Sequence, residues 1–142
     1  MRNPLVTKWL LAGLLLLVIA QAAWILTPAS RPELNQVVSA TPIGENSAVY
    51  EVLSNAGGAT VPLIYLYFIA PRHEDERQTL KALEQLSPFL VTKQSGAVVG
   101  VEGLRVVART HDQVYSYVST AVLREAGEVR AVDIELTATR RN

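Results

Sequence analysis

Near its N-terminus the chain carries a long run of apolar residues. From Trp9 to Leu26, Gln21 is the one distinctly polar residue. As a helix with about 1.5 Å rise per residue, this run would be roughly 27 Å long, close to the hydrocarbon thickness of a bilayer. Trp9 and Trp24 lie near its two ends, where indole rings favour the membrane interface. The run predicts a transmembrane helix.

Two interpretations of this run differ in whether it is removed. Residues 20–22, Ala-Gln-Ala, have the small-x-small form of a signal-peptidase site, and cutting after Ala22 would release the remainder. The run is longer than the core of about 7–15 residues that signal peptides use, which favours an uncleaved anchor. Arg2 and Lys8 precede it and predict that its N-terminal side stays in the cytoplasm.

The predicted anchor divides the chain into three parts. Residues 1–26 are the transmembrane anchor, with a short cytoplasmic tail at 1–8, and the Pro-rich residues 27–36 form a linker. Residues 37–142 follow as a periplasmic domain. The sequence thus predicts a single-pass protein of the bacterial inner membrane, with its C-terminal domain in the periplasm.

Beyond the linker the apolar residues take the spacing of strands. Residues 60–70, TVPLIYLYFIA, are apolar on both faces, which is typical of a central strand covered on both sides. We expect an antiparallel hairpin with the strand at 47–53, joined through a turn at Gly57-Gly58. Residues 73–86 predict a helix, because acids fill the first turn and leucines form an apolar stripe.

The rest of the domain alternates with period two. In residues 129–137 the pattern predicts a strand with one buried and one solvent-exposed face. The buried face carries Val132, Ile134 and Leu136, and the exposed face carries Asp133 and Glu135. Further strands are predicted at 37–40, 89–91, 97–101, 104–109 and 113–119. The predicted fold class is α+β: an N-terminal transmembrane helix followed by a mostly antiparallel β domain with one soluble helix.

Composition excludes several classes of function. The chain has 13 basic and 13 acidic residues with no basic cluster beyond the N-terminal segment, so no nucleic-acid partner is expected. It has no cysteine, which rules out disulfides, a thiol nucleophile and thiolate metal sites. With two histidines, a His-rich metal site is impossible. We expect no catalytic residues, no cofactor, no metal and no small-molecule substrate, and hence no enzyme.

Two histidine-containing motifs offer the chemistry that an enzyme would need. His111 and Asp112 would suit a hydrolase if Ser116 or Ser119 lay within reach, yet no nucleophile-elbow motif is present. A loop turn in which Asp112 binds nearby backbone is favoured. Residues 73–75, His-Glu-Asp, are adjacent in sequence and do not face one another on a helix, so solvated charges at the helix start are favoured.

Four tyrosines are the candidate partner-binding residues. Tyr65 and Tyr67 are two positions apart, as are Tyr115 and Tyr117, so each pair shares one face of its strand. Aromatic stripes offer partners a large rigid area with a polar tip. Core packing with the hydroxyls at the rim is the alternative interpretation.

Several stretches also resemble a group of bacterial proteins. These are GGATVPLIYLYFI at 57–69, VEGLRVVART at 101–110 and VDIELTA at 132–138. The chain resembles small membrane-anchored periplasmic proteins of unknown function that share a Gly-Gly-Ala-Thr step into a hydrophobic strand. The resemblance implies an anchored domain and brings no catalytic residues with it.

Together these features favour a protein-binding role. The sequence predicts a membrane-tethered periplasmic module whose partner is another protein, and one form of it is an immunity protein that neutralises a toxin. The alternative is a structural subunit of an envelope assembly such as a secretion or pilus platform. In that alternative the N-terminal helix itself would make contacts through its small residues.

Overall fold

The computed structural model describes residues 4–26, 32–55 and 62–139. The chain divides into two compact units, Met1–Arg31 and Pro32–Asn142. The predicted linker at 27–36 spans this division, and its first five residues lie outside the described part of the chain.

The first unit contains one helix, α1, at Pro4–Leu26. Its side chains are described from residue 8 to residue 24. Among the described residues, no helix combines the length and the apolar character needed to cross a membrane.

This finding contradicts the predicted transmembrane anchor at 1–26. The predictions that depended on the anchor are therefore wrong as well. They are the single-pass topology, the cytoplasmic tail, the inner-membrane location with a periplasmic domain, and the membrane as a binding partner. The apolar run correctly predicted a helix, but consecutive apolar residues in the sequence did not by themselves establish that this helix spans a membrane.

The second unit contains one helix and nine strands in its described residues. The strands are β1 Gln36–Ile43, β2 Ser47–Ser54, β3 Ile64–Pro71, β4 Leu90–Thr92, β5 Val98–Glu102, β6 Arg105–Thr110, β7 Val114–Tyr117, β8 Thr120–Glu125 and β9 Glu128–Ala138. The helix, α2, is Glu76–Leu83.

The strands form two sheets. One has five strands in the order β1-β2-β3-β4-β7, and all of its pairs are antiparallel. The other has four strands in the order β5-β6-β9-β8, in which only the β6–β9 pair is parallel. The prediction of a mostly antiparallel β domain is confirmed with this one exception.

Strand β3 lies in the middle of the five-stranded sheet and is covered on both faces. Tyr67 belongs to a core cluster shared with the four-stranded sheet, which supplies Val106, Val132 and others. Leu66 and Phe68 point the other way, into a second cluster that Leu83 of α2 covers. The domain therefore has three layers: α2, the five-stranded sheet and the four-stranded sheet. The two-sided apolar pattern of residues 60–70 predicted this position.

Helix α2 is shorter than the predicted helix at 73–86. The side chain of Asp75 caps the helix by accepting a hydrogen bond from the Arg77 amide at 3.1 Å, so α2 begins at Glu76, three residues later than predicted. At the other end, Leu86 N bonds to the Leu83 carbonyl, a tighter turn that ends the α-helical pattern. Thr79 and Leu83 are buried against the sheet.

Strand β9 and the β2–β3 pair agree with the sequence predictions. In β9, Val132 and Ile134 are buried and Leu136 is partly buried, whereas Asp133 and Glu135 are exposed, as predicted. Strands β2 and β3 pair antiparallel, which confirms the predicted hairpin. The Gly57-Gly58 turn between them lies outside the described residues.

Leu83→Ala tests whether α2 is held by packing on the sheet. Leu83 is fully buried, so its truncation should lower the free energy of unfolding by about 2–5 kcal/mol. Lys81→Ala, an exposed position on the same helix, should change it by less than about 0.5 kcal/mol. Urea denaturation followed by circular dichroism measures both. Equal, small losses for the two variants would contradict this packing.

Candidate functional site

Residues 114–125 form the edge of both sheets, and we call them the edge segment. Strand β7 is the last strand of the five-stranded sheet, and β8 is the last strand of the four-stranded sheet. Between them, Val118 N donates to the Phe89 carbonyl at 2.8 Å, while the Ser119 carbonyl accepts from Ile134 N at 2.8 Å. Two consecutive residues thus bond to different sheets, so one continuous stretch of chain forms one side of the sandwich.

The edge segment exposes several large apolar side chains. Tyr115, Tyr117, Val118 and Val122 are each between 40% and 52% exposed. Six consecutive residues, from Tyr115 to Thr120, belong to the exposed class. Single exposed apolar residues are normal, but a group of them on one stretch of chain is typical of an interaction surface.

Most of the edge segment lacks charge and proline, two features that protect a sheet edge, although β7 has a bulge at Tyr115 and β8 carries the exposed Arg124 near its end. Residues 113–123 contain no charged residue, no proline and no glycine. Charges, prolines and bulges are the usual means by which proteins keep an edge strand from pairing with another chain. The main chain along this side is therefore open to a further strand.

The edges on the opposite side of the sandwich are protected. Strand β1 contains Pro42 and a bulge between Val37 and Ser39, and its Val37 N–H is already bonded to the Glu76 carboxylate at 3.0 Å. Strand β5 has five residues and a bulge between Val98 and Gly100. Because β7 also has a bulge, the two sides differ in the proline of β1 and in its already bonded Val37 amide, and this difference identifies 114–125 as the candidate site.

Hydrogen bonding within the β8–β9 hairpin shows which groups of β8 remain available. Ala126 and Gly127 have φ of 50° and 80°, as a two-residue turn of this kind requires. Residues flanking such a turn, Glu125 and Glu128, form a hydrogen-bonded pair, and the pairing recurs at every second residue. The Ser119–Ile134 bond fits this alternation. The main-chain groups of residues 120, 122 and 124 therefore point to the free side.

A groove of about 590 Å³ runs beside β8. Strand β8 and Val118 form one wall, and the chain that follows α2, residues 85–89, forms the other. The end of β3 at 69–71 also lines it. The lining is mainly apolar, with polar groups from Ser47, Gln85, Ser87, Thr120 and Arg124.

Glu125 fixes the end of β8 to the other sheet. Its buried carboxylate accepts hydrogen bonds from Asn46 N at 2.9 Å and Glu45 N at 3.2 Å, in the turn between β1 and β2. Arg130 Nη2 lies 3.3 Å away. Gly44 has φ of 65°, and a Cβ at this position would clash with the Glu125 carboxylate. Only glycine allows this close approach.

These contacts lower the pKa of Glu125. The Ser47 hydroxyl contributes most, followed by the Asn46 amide, then the Glu45 amide and Arg130, while burial acts in the opposite direction. The Ser47 Oγ acts without a hydrogen bond of normal geometry, whereas the Asn46 and Glu45 amides donate directly to the carboxylate. The ionised carboxylate is thus favoured in the folded state.

The four predicted tyrosines are divided between core and surface. Tyr67 is fully buried between the sheets and Tyr65 is partly buried against the same cluster. Tyr115 and Tyr117 are exposed on the edge segment. The Tyr117 hydroxyl donates to the Ile134 carbonyl at 2.5 Å, so this ring spans the open side of the sandwich. The four rings do not form one exposed stripe, and their role in partner binding stays a prediction.

Tyr67 belongs to a buried polar network that binds residues 94–97, the segment that connects β4 of one sheet to β5 of the other. Its hydroxyl donates to the Gln94 carbonyl at 3.1 Å and accepts from Ala97 N at 2.9 Å. Beside it, the buried Glu51 carboxylate accepts from Ser95 Oγ at 2.6 Å and Gly96 N at 3.0 Å. Burial raises the pKa of Tyr67, so the phenol stays neutral. The Tyr67 hydroxyl and the Glu51 carboxylate thus both serve to hold the fold together through hydrogen bonds.

The His111–Asp112 pair lies in a loop turn. His111 Nδ1 is 2.6 Å from Thr139 Oγ1, and the Asp112 carboxylate accepts from Gln113 N at 2.9 Å. The turn interpretation of Asp112 is thus supported. The structure shows no hydrogen bond between the His111 ring and Ser116 or Ser119. His73 is exposed and precedes α2.

Sequence reasoning missed β8 and with it Val118, Val122 and Arg124 as site residues. Residues 121–123, Ala-Val-Leu, are consecutively apolar and hide the alternation of the strand. A usable signal was present, because residues 125–128, Glu-Ala-Gly-Glu, have turn-forming composition, and a turn that precedes the predicted strand at 129–137 implies another strand before it.

Comparison with known proteins brings no further information about this site. No protein-family model, no curated protein and no solved structure matches the chain. Among the described residues, no group of three or more His, Cys, Asp or Glu could hold a metal ion.

Glu125→Gln tests the link between the sheets through its pH dependence. Because the pKa of Glu125 is lowered by folding, its stabilising effect is complete above the carboxyl pKa of the unfolded chain, about 4.3, and is lost as the pH falls through the lower folded value. The variant should be less stable at pH 7, and the difference should shrink toward pH 3. Urea denaturation across this range measures it.

Glu128→Gln is the matched control for that series. Glu128 is exposed and its carboxylate lies 3.9 Å from the same Arg130. Its replacement should leave the pH profile of the unfolding free energy unchanged. A profile for Glu125→Gln that runs parallel to the unsubstituted protein would show that the Glu125 carboxylate does not hold the turn.

Proposed function

We propose that the domain is a protein-binding module that takes up an extended segment of a partner protein by strand addition along the edge segment. One observation carries the proposal: residues 113–123 form an uncharged, proline-free edge, whereas β1 on the opposite side is protected. In strand addition, main-chain hydrogen bonds supply affinity, and pockets for alternate side chains supply specificity.

The edge segment offers both components. The free main-chain groups of residues 120, 122 and 124 can pair with an incoming strand, and each added hydrogen bond contributes about 0.5–1.5 kcal/mol net. The groove beside β8 can bury every second side chain of that strand. Tyr115 and Tyr117 extend the apolar surface beyond the groove. Because the edge strand is already formed in the domain, the conformational entropy lost on binding comes mainly from the partner segment.

A toxin-neutralising protein is one role for such a module, since strand addition can cover a functional segment of the bound protein. The alternative is a structural subunit, in which the same edge pairs with a further copy of the chain. The uncharged edge favours this alternative specifically, because unprotected edges also pair with themselves. The two are separated by whether the chain associates with itself.

Val122→Lys tests the proposal with a strand-forming probe. The probe is a labelled ten-residue peptide that alternates Val with Thr, with Phe in place of one central Val and Gln beside it. We expect binding of the full chain, measured by fluorescence anisotropy, and at least about tenfold weaker binding by Val122→Lys, or about 1.4 kcal/mol. The added charge at the edge should oppose the approach of an apolar strand.

Val99→Lys is the matched control. Val99 lies on the edge strand β5 and is 55% exposed, against 52% for Val122, so both variants add the same charge at similar exposure. It should bind the probe like the unsubstituted chain. No binding of the probe would overturn strand addition. A dimer in sedimentation velocity that Val122→Lys alone abolishes would instead assign the edge to a second copy of the chain.

A further inference from the structure

We infer that the edge segment selects partner segments that carry a carboxylate beside an apolar anchor residue. The anchor enters the groove beside β8, and the carboxylate pairs with Arg124. This inference rests on the proposed strand addition and specifies which chemical class of segment it accepts.

The charge of the groove is the first observation. Arg124 is the only charged residue among the described residues that line it. The lining otherwise consists of apolar residues and neutral polar groups. An incoming segment therefore meets an apolar surface with one positive charge at one end of β8. An acidic side chain at that end complements the charge, and a basic one is repelled.

The availability of Arg124 is the second observation. Its side chain is exposed and forms no hydrogen bond or ion pair with the described residues. Two other arginines of the same sheet are engaged: Arg105 pairs with Glu135, and Arg130 pairs with Glu125, whereas the exposed Arg109 lies away from the groove. The nearest acid in sequence, Glu125, is buried and occupied by backbone amides. The Arg124 guanidinium is thus free for a carboxylate, which it can bind with two parallel hydrogen bonds.

The alternation of β8 sets the spacing between anchor and carboxylate. Leu123 is buried and Ala121 partly buried toward the core, whereas Val122 and Arg124 are exposed on the opposite face. An added strand alternates in the same way, so its residue that enters the core-facing part of the groove, beside Leu123, and its residue that meets Arg124 at the exposed rim of the groove belong to different faces. The anchor and the carboxylate must therefore be an odd number of residues apart.

Charge variants of the strand-forming probe test this inference. Three peptides carry Gln, Glu or Lys directly beside the central Phe, and a fourth carries Glu two residues from it. The full chain should bind the adjacent-Glu peptide about three- to tenfold more tightly than the Lys peptide, a range set by exposed ion pairs. The gain should weaken as salt is raised, since exposed charges are screened. The fourth peptide should show no gain over the Gln peptide.

Reversing the charge on the protein completes the test. Arg124→Glu should bind the Lys peptide in preference to the Glu peptide, whereas Arg109→Glu, an exposed arginine on β6 that does not line the groove, should keep the original order. Equal binding of all charge variants would overturn the inference and leave strand addition intact. If neither the Gln peptide nor any of the charged peptides binds, both the charge preference and the proposed strand addition are overturned.

Discussion

The fold depends on β3 being buried on both of its faces. Tyr67 and Leu66, adjacent in sequence, enter two different core clusters. A strand with two apolar faces is stable only between two covering layers, and the four-stranded sheet and α2 supply them. Once β3 is central, the remaining strands of its sheet are placed outward from it, ending at β1 on one side and β7 on the other. The open positions of the domain are therefore its edges.

Two buried acids connect the five-stranded sheet to the four-stranded sheet. Glu51, on the five-stranded sheet, binds Ser95 and Gly96 in the chain leading into β5. Glu125, at the end of β8, binds the turn between β1 and β2. Hydrogen bonds to charged groups are stronger than neutral ones, and a buried carboxylate is tolerated only when it is paired. These contacts hold the sheets in register and fix where the edge segment ends.

The candidate site is a consequence of this arrangement and needs no catalytic motif. The chain crosses from β7 to β8 at Val118 and Ser119, so a single segment forms the edge of two sheets. Its uncharged residues leave the main chain accessible, and the groove beside β8 provides an apolar surface. Arg124, without a partner among the described residues, gives this surface an electrostatic preference. The proposed binding role therefore rests on the topology of the sheets, and its proposed specificity rests on one side chain.

Local patterns along the chain were enough to predict the central strand, the alternating faces of β9, the helix at α2 and the antiparallel hairpin of β2 and β3. Each of these depends on residues close in sequence, whose spacing reports which face is buried. The patterns also placed Tyr115 and Tyr117 on one strand, but they did not separate them from the buried Tyr67, and they misjudged the N-terminal run as a membrane span. Strand order, the parallel β6–β9 pair and the free edge at 114–125 arise from contacts between distant residues. Period-two spacing shows which side of a strand meets the core, but not which strand lies beside it, because neighbours in a sheet are selected by packing across the whole domain.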